Sequence, residues 1–404
     1  MKKRLSRSLA LLLAVFLLAA FPSACGDRHA GPTPDVVPTP SPEPDPQPDP
    51  SPQPEPDPEP GPEEPVTGEN IVVADGVWRI DTSYFTENHQ TVDRVFVCDN
   101  DRVIFFVSTL NPDGTVAEGV SAYFFSLDTG RFLPDTLELG VVGLYPDRTY
   151  DDGTVSVVTL DSESYEYKDI LFIDPQSATA QSVAAPRGDD IIALSISPDK
   201  QYIAMTGVDT LLVTDMTYSQ IFLQIDAQAD ENGDQLIPSP TDWSKDSSQL
   251  SFKLGAWESL HTPAVANIAA GEVQYYPELS GNELRFAGDR LFYCGWYPYL
   301  PCGFADAEGE NRADIPLDVI SDPSAISQLT VSGSGAYLGI ACIGEDGGQA
   351  FVCDAGTGQP VMTYASGGVS FDEIYFTPDE RTAVFATASS LEESKQIFVL
   401  DFNR

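Results

Sequence analysis

Ser195-Ile-Ser-Pro-Asp-Lys-Gln-Tyr-Ile-Ala204 carries the pattern that decides the fold. A short hydrophobic strand runs into a tight turn at Asp199, and a second hydrophobic strand leaves it at once. Asp242-Trp-Ser-Lys-Asp-Ser-Ser-Gln-Leu-Ser251 repeats the pattern. Weaker copies place turn residues at Asp101, Asp147, Asp289, Gly335 and Asp379, so successive turns fall 43 to 52 residues apart. A fixed period of this length, with several short strands per unit, is the sequence form of a β-propeller.

A second marker has the same period. In each unit a later strand ends at Asp or Asn: Asp128, Asp174, Asp215, Asn267, Asp306, Asp354 and Asp401. An Asx side chain can accept a hydrogen bond from a backbone N–H two residues on and so close a turn. These aspartates therefore have a local duty that requires no catalysis. Both markers count seven blades rather than six or eight.

Each blade then reads as strands a to d; in blade three they are 192–197, 202–206, 210–215 and 220–225. Blade seven has only three strands before residue 404, whereas 69–82 precedes blade one with no blade of its own. Pairing that N-terminal strand with the last blade would close the ring and remove exposed strand edges. The expectation is an all-β, seven-bladed propeller over 69–404, closed by its N-terminal strand.

Ser197-Pro-Asp199 with Tyr202-Ile-Ala204, Trp243-Ser-Lys-Asp246 with Gln249-Leu-Ser-Phe252, and Thr377-Pro-Asp379 with Ala383-Val-Phe385 resemble the WD-like repeats of TolB-like proteins and of prolyl-oligopeptidase-type propeller domains. The resemblance spans about residues 70 to 404 and is weakest in blades one, two and five. It implies a blade architecture and no single activity, because the group includes binding, assembly and enzyme-associated modules.

Outside the repeat, Met1-Lys-Lys-Arg4 leads into an apolar run from Leu9 to Phe21 and then Pro22-Ser-Ala-Cys25. That is the layout of an export signal, and the run is short for a membrane span. Pro22-Ser-Ala-Cys25 resembles the bacterial lipobox, apart from Pro22 where a leucine-like residue is usual. Residues 1–24 are thus expected to be a lipoprotein signal peptide and Cys25 the lipid attachment site. Residues 25–68 are dominated by Pro, Asp, Glu, Ser and Gln from Gly31 to Pro65, a composition that cannot bury a core. As polyproline II this tract would reach roughly 110 Å, at about 3.1 Å per residue. The expected location is the outer side of a bacterial cell membrane, held by the N-terminal lipid alone.

The formal charge is −41, from 21 basic and 62 acidic residues. Such a surface repels nucleic acid and anionic headgroups and attracts cationic partners. Prolyl-oligopeptidase chemistry would need a Gly-x-Ser-x-Gly elbow on a hydrolase domain. Ser332-Gly-Ser-Gly335 lacks that spacing and sits in a strand turn. With three histidines, of which His29 lies near the anchor, a histidine-based mechanism could use only His89 or His261. No catalytic residue and no cofactor is assigned. Asp230-Glu-Asn-Gly-Asp234 resembles a calcium loop but lacks the closing glutamate of an EF-hand, so no metal is assigned either.

Five cysteines remain. A two-residue turn at Gly347-Gly348 would set Cys342 opposite Cys353, and a bend at Pro298 would set Cys294 opposite Cys302. Both pairs are candidate disulfides, with buried free thiols as the alternative; Cys98 is expected to be a buried apolar residue. The candidate binding face is the one carrying the b–c loops. There Trp257 and His261 of blade four and Trp296, Tyr297 and Tyr299 of blade five would adjoin Asp230 and Asp234, an array suited to stacking on sugars or holding cationic side chains. The functional expectation is a non-catalytic binding or scaffolding module for a protein or a cell-envelope or external glycan. The alternative is a carboxylate-based polysaccharide hydrolase or lyase on the propeller face, which would require two carboxylates at a defined separation.

Overall fold

The computed structural model describes residues 70–402, apart from 112–115, 142, 162–165, 187–190, 231, 257–260, 296–300, 345–346 and 388–394. The expected signal segment, Cys25 and the stalk lie outside the described residues. Seven antiparallel sheets follow one another around a ring, and the chain is an all-β, seven-bladed β-propeller. Blade three is built from Ala193–Ile196, Tyr202–Thr206, Thr210–Asp215 and Ile221–Asp226, within one residue or so of the strands expected.

Closure uses both ends of the domain. Val77–Ile80 joins blade seven as its outer strand, paired with Ile397–Asp401 in the register Val77↔Leu400 to Ile80↔Ile397. The strand before it, Asn70–Ala74, adds a fifth member to the same sheet. Val77 and Ile80 are buried, so the closing strand contributes apolar contacts as well as ladder hydrogen bonds.

The core is divided into seven buried clusters, one at each blade boundary. The b strands lie between neighbours on both faces and therefore read as continuous apolar runs, as in Arg102–Leu110 and Thr382–Thr387. The outermost strands meet solvent: Thr179–Ala184 and Pro360–Ala365 are largely exposed. A one-turn helix, Ser83–Glu87, precedes blade one and buries Phe85 edge-on against Tyr123 and Phe132.

The turn aspartates do what their spacing implies. In blades three and four the Oδ1 atoms of Asp199 and Asp246 accept the amides of Gln201 and Ser248 at 3.0 and 3.1 Å and the hydroxyls of Ser197 and Ser244. At the strand ends, Asp174 accepts from Gln176 N, Asn267 from Ala270 N and Asp354 from Thr357 N. Asp101 and Asp147 depart from the pattern: in blade one it is Asp99 Oδ1 that accepts the turn amides, those of Asp101 and Arg102. The turn of blade two falls at Asp151-Asp152, where Asp152 accepts the amide of Thr154, and Asp147 lies inside the innermost strand Gly143–Thr149.

Innermost strands carry one further irregularity. The ladder to strand b skips a residue at Asp93, Asp147, Thr241, Ser327 and Asp372. Each skip is a β-bulge, which re-aims side chains locally. Several bulged residues face the next blade: the Thr241 hydroxyl donates to Leu284 O at 3.0 Å, and the Ser327 hydroxyl donates to Phe371 O.

Candidate functional site

The innermost strands of blades two to six surround a cavity of about 520 Å³ in the central channel. Tyr145, Asp147 and Arg148 come from blade two, Ser195 from blade three, Asp242 from blade four and Arg285 from blade five. A second cavity of about 270 Å³ shares Val331 with the first and continues past Thr330 and Tyr375. The channel is thus polar, and in a chain of charge −41 it concentrates arginine.

Its two carboxylates are held by neighbouring blades. Asp147 Oδ2 accepts the hydroxyl of Ser156 at 3.0 Å and the amide of Ile196, in blade three, at 3.2 Å. Asp242 Oδ2 accepts the amide of Phe286, in blade five, at 2.9 Å, while Oδ1 accepts Trp243 N and faces Arg148 at 3.5 Å. Gln328 repeats the arrangement without charge, its Oε1 accepting Ile374 N of blade seven at 2.7 Å. An innermost-strand side chain reaching a backbone amide one blade on is therefore a recurrent clamp. Burial pushes the Asp147 carboxyl above its ordinary range, opposed by Arg148 and by the hydrogen bonds it accepts.

The blade seven to blade one boundary holds a separate ionic cluster. Lys395 is buried, with Nζ 2.7 Å from Glu373 Oε1 and 3.5 Å from Asp372 Oδ1. Arg94 of blade one reaches the same Glu373 oxygen at 2.7 Å. Burial raises the Asp372 and Asp93 carboxyls, with Lys395 and Arg94 acting against it.

The face expected from sequence is described only in part. Trp257, Trp296, Tyr297 and Tyr299 lie outside the described residues. His261 is described, and its ring is laid on Gly255, where a Cβ would stand 1.7 Å from Nδ1. Its backbone carbonyl accepts the amide of Gly281 at 2.6 Å. Desolvation lowers its pKa, aided by Lys253 and opposed by Glu283. Asp230 and Asp234 form a hairpin turn between Gln228–Ala229 and Gln235–Trp243. Asp230 Oδ1 is taken by the amides of Asn232 and Asp234. Among the described residues, no group of three or more His, Cys, Asp and Glu side chains is placed to hold a metal ion.

The pairing of Cys342 with Cys353 requires correction. Cys98, Cys294, Cys302, Cys342 and Cys353 are all free thiols in this structure. Cys342 lies opposite Gln349, and Cys353 opposite Leu338. A four-residue offset is about 14 Å along a strand, beyond the Cα separation of a disulfide. Gly347 and Gly348 do not centre a two-residue turn; they sit where backbones cross, and a Cβ on Gly348 would lie 2.7 Å from Cys342 O. For the other pair the register runs Tyr293↔Gly303, and its next step sets Cys294 against Cys302, although no bridge joins them. All four thiols belong to one apolar cluster between blades five and six. Burial raises their pKa to about 11 for Cys294, Cys342 and Cys353 and about 12 for Cys302.

Sequence reasoning missed the channel. The signal available was the placement of Arg94, Arg148 and Arg285 on innermost strands of an arginine-poor domain.

Solved structures share this fold. The β-propeller domain of the Trilobed protease from Pyrococcus furiosus matches with a TM-score of 0.52 at 11% identity, over 77% of this chain and 94% of that one. A prolyl endopeptidase matches with a TM-score of 0.53 at 14% identity, over 78% of this chain and 49% of that one, so this chain spans about half of its length. TolB from Acinetobacter baumannii aligns at 15% identity over 74% of this chain and 79% of that one, with a TM-score of 0.39. At these identities the likeness to the first two shows the fold alone. No protein-family model matches the chain, and no curated protein sequence matches it.

Proposed function

We propose that the protein is a lipid-anchored, extracytoplasmic propeller acting as a non-catalytic binding or scaffolding module for a protein or glycan partner. The anchor rests on the export-signal layout ending at Cys25, and the reach on the Pro- and Asp/Glu-rich tract that follows. The observation that carries the choice of binding over hydrolysis is the engagement of the channel carboxylates. A glycosidic acid–nucleophile pair needs carboxyl oxygens facing the substrate. Asp147 Oδ2 and both Asp242 oxygens instead accept amides and a hydroxyl from their own and adjoining blades. That Asp147 and Asp242 share one cavity is what keeps a carboxylate-based hydrolase or lyase as the second reading.

The test is affinity capture of the full chain from detergent-solubilised membranes after mild cross-linking, paired with a reducing-end assay on envelope and plant polysaccharides. A stoichiometric partner without sugar release is the expected result. Reducing ends that disappear in both Asp147→Asn and Asp242→Asn would replace this reading with the hydrolytic one.

A further inference from the structure

We infer that the channel cavity between blades two and five is a binding site for a small carboxylate-bearing ligand, received by Arg285 with Arg148 beside it. This goes further than the partner-binding reading and names the chemistry of one pocket.

Arg148 faces Asp242 at 3.5 Å, so those two charges offset each other. Glu283, two residues before Arg285 on the same strand, is held by Lys253. Asp147 is engaged through Oδ2 by the Ser156 hydroxyl and the Ile196 amide. Arg285 is left over: among the described residues it takes part in no ion pair, and its recorded bond is a long one of 3.5 Å to the Thr330 hydroxyl. A guanidinium presents five donors in a planar fork that matches a carboxylate. In a partly desolvated cavity such a group draws an anion more strongly than on the surface.

Arg148 adds a second donor set. Its guanidinium lines the same cavity, with Nη2 3.5 Å from Asp242 Oδ1. The cavity also has walls fit for an organic ligand. Tyr145 is half exposed, Tyr167 lies near it, and Phe286 and Val331 supply apolar surface. A cavity of about 520 Å³ falls within the range of small-molecule sites and can take a monosaccharide or a short peptide end. Inorganic anions would use the arginines but leave these walls unfilled. An acidic sugar and a peptide C-terminus present the same carboxylate, and the experiment separates them.

Calorimetric titration of the propeller-containing full chain at low salt would use D-glucuronate, an N-acetyl dipeptide with a free carboxylate, the same dipeptide amidated, and D-glucose. The expected result is saturable binding of at least one carboxylate probe, none of its neutral counterpart, and weakening as salt rises. Arg285→Gln should weaken that binding at least tenfold, about 1.4 kcal/mol, with Arg285→Lys recovering part of it; thermal melts of both variants confirm folding. Failure of every carboxylate probe to bind folded wild type, or equal binding by Arg285→Gln, overturns the site. Captured partners without carboxylate binding would remove this site and leave the binding reading intact. Carboxylate binding that depends on Arg285, together with sugar release and no captured partner, would do the reverse.

Discussion

Asp242 of blade four holds the backbone amide of Phe286 in blade five at 2.9 Å and faces Arg148 of blade two at 3.5 Å, so one carboxylate links three blades at the channel wall. Removing it leaves the Phe286 amide without its acceptor and Arg148 without its ion-pair partner. Charge-assisted hydrogen bonds of this kind contribute roughly 1.5–3 kcal/mol. Asp242→Ala should lower stability by about 2–3 kcal/mol in urea titration with an unchanged slope. Asp242→Asn should lose less, since its amide oxygen can still accept from Phe286. A loss under about 0.5 kcal/mol in the alanine variant would show that the clamp is incidental.

Ring closure makes a second prediction. Val77–Ile80 covers the edge of Ile397–Asp401 and buries Val77 and Ile80. Each buried aliphatic side chain is worth roughly 1.5–3 kcal/mol, and an uncovered edge is a template for pairing with another chain. Deleting residues 70–80 should destabilise the domain, speed hydrogen exchange at 397–401, and yield dimers or larger species by size-exclusion chromatography. A monomer with wild-type protection of those amides would contradict the closure.

The parts of this fold that were legible in the sequence are those governed by local chemistry. Asp199, Asp246 and Asp379 close their turns through backbone amides a few residues away, so a short motif reports them. Strand b is buried on both faces and announces itself as an apolar run. The channel is different, because its residues meet through ring geometry. The bulges at Asp93, Asp147 and Thr241 break the two-residue alternation that would reveal which side chains face inward. Asp147 fitted the spacing of a turn residue for the same reason: the blade-two turn lies a few residues later. Gly347-Gly348 misled in another way. Glycine serves tight turns and close backbone approaches alike, and here the approach of Gly348 to Cys342 decides its identity.

Asp147 predicts a pH dependence. Its folded pKa is raised by burial, so ionising it costs the folded state more than the unfolded chain. The cost is absent well below the ordinary carboxylate range and grows as pH rises from about 4 toward the raised value. Asp147→Asn removes the titration while keeping an oxygen to accept from Ser156 and Ile196. Relative to wild type, the variant should therefore gain stability as pH rises above about 4, read from urea midpoints at successive pH values. A difference independent of pH would mean that Asp147 titrates normally.

Lys395 gives the sharpest energetic test. Its side chain is 2% exposed and Glu373 is 9% exposed, with Nζ to Oε1 at 2.7 Å. Breaking a buried pair by removing one partner leaves an uncompensated charge and costs about 3–5 kcal/mol. Lys395→Met should incur that loss, because Glu373 would keep Arg94, whose side chain is half exposed at 46%, and a long bond from the Tyr375 hydroxyl at 3.4 Å. Replacing both members, Lys395→Met with Glu373→Gln, removes the stranded charge along with the attraction. The double variant should therefore be more stable than Lys395→Met alone, and the double-mutant cycle should return a coupling well above the scatter of independent sites. If instead the two losses simply add, the ammonium and carboxylate do not act as a pair.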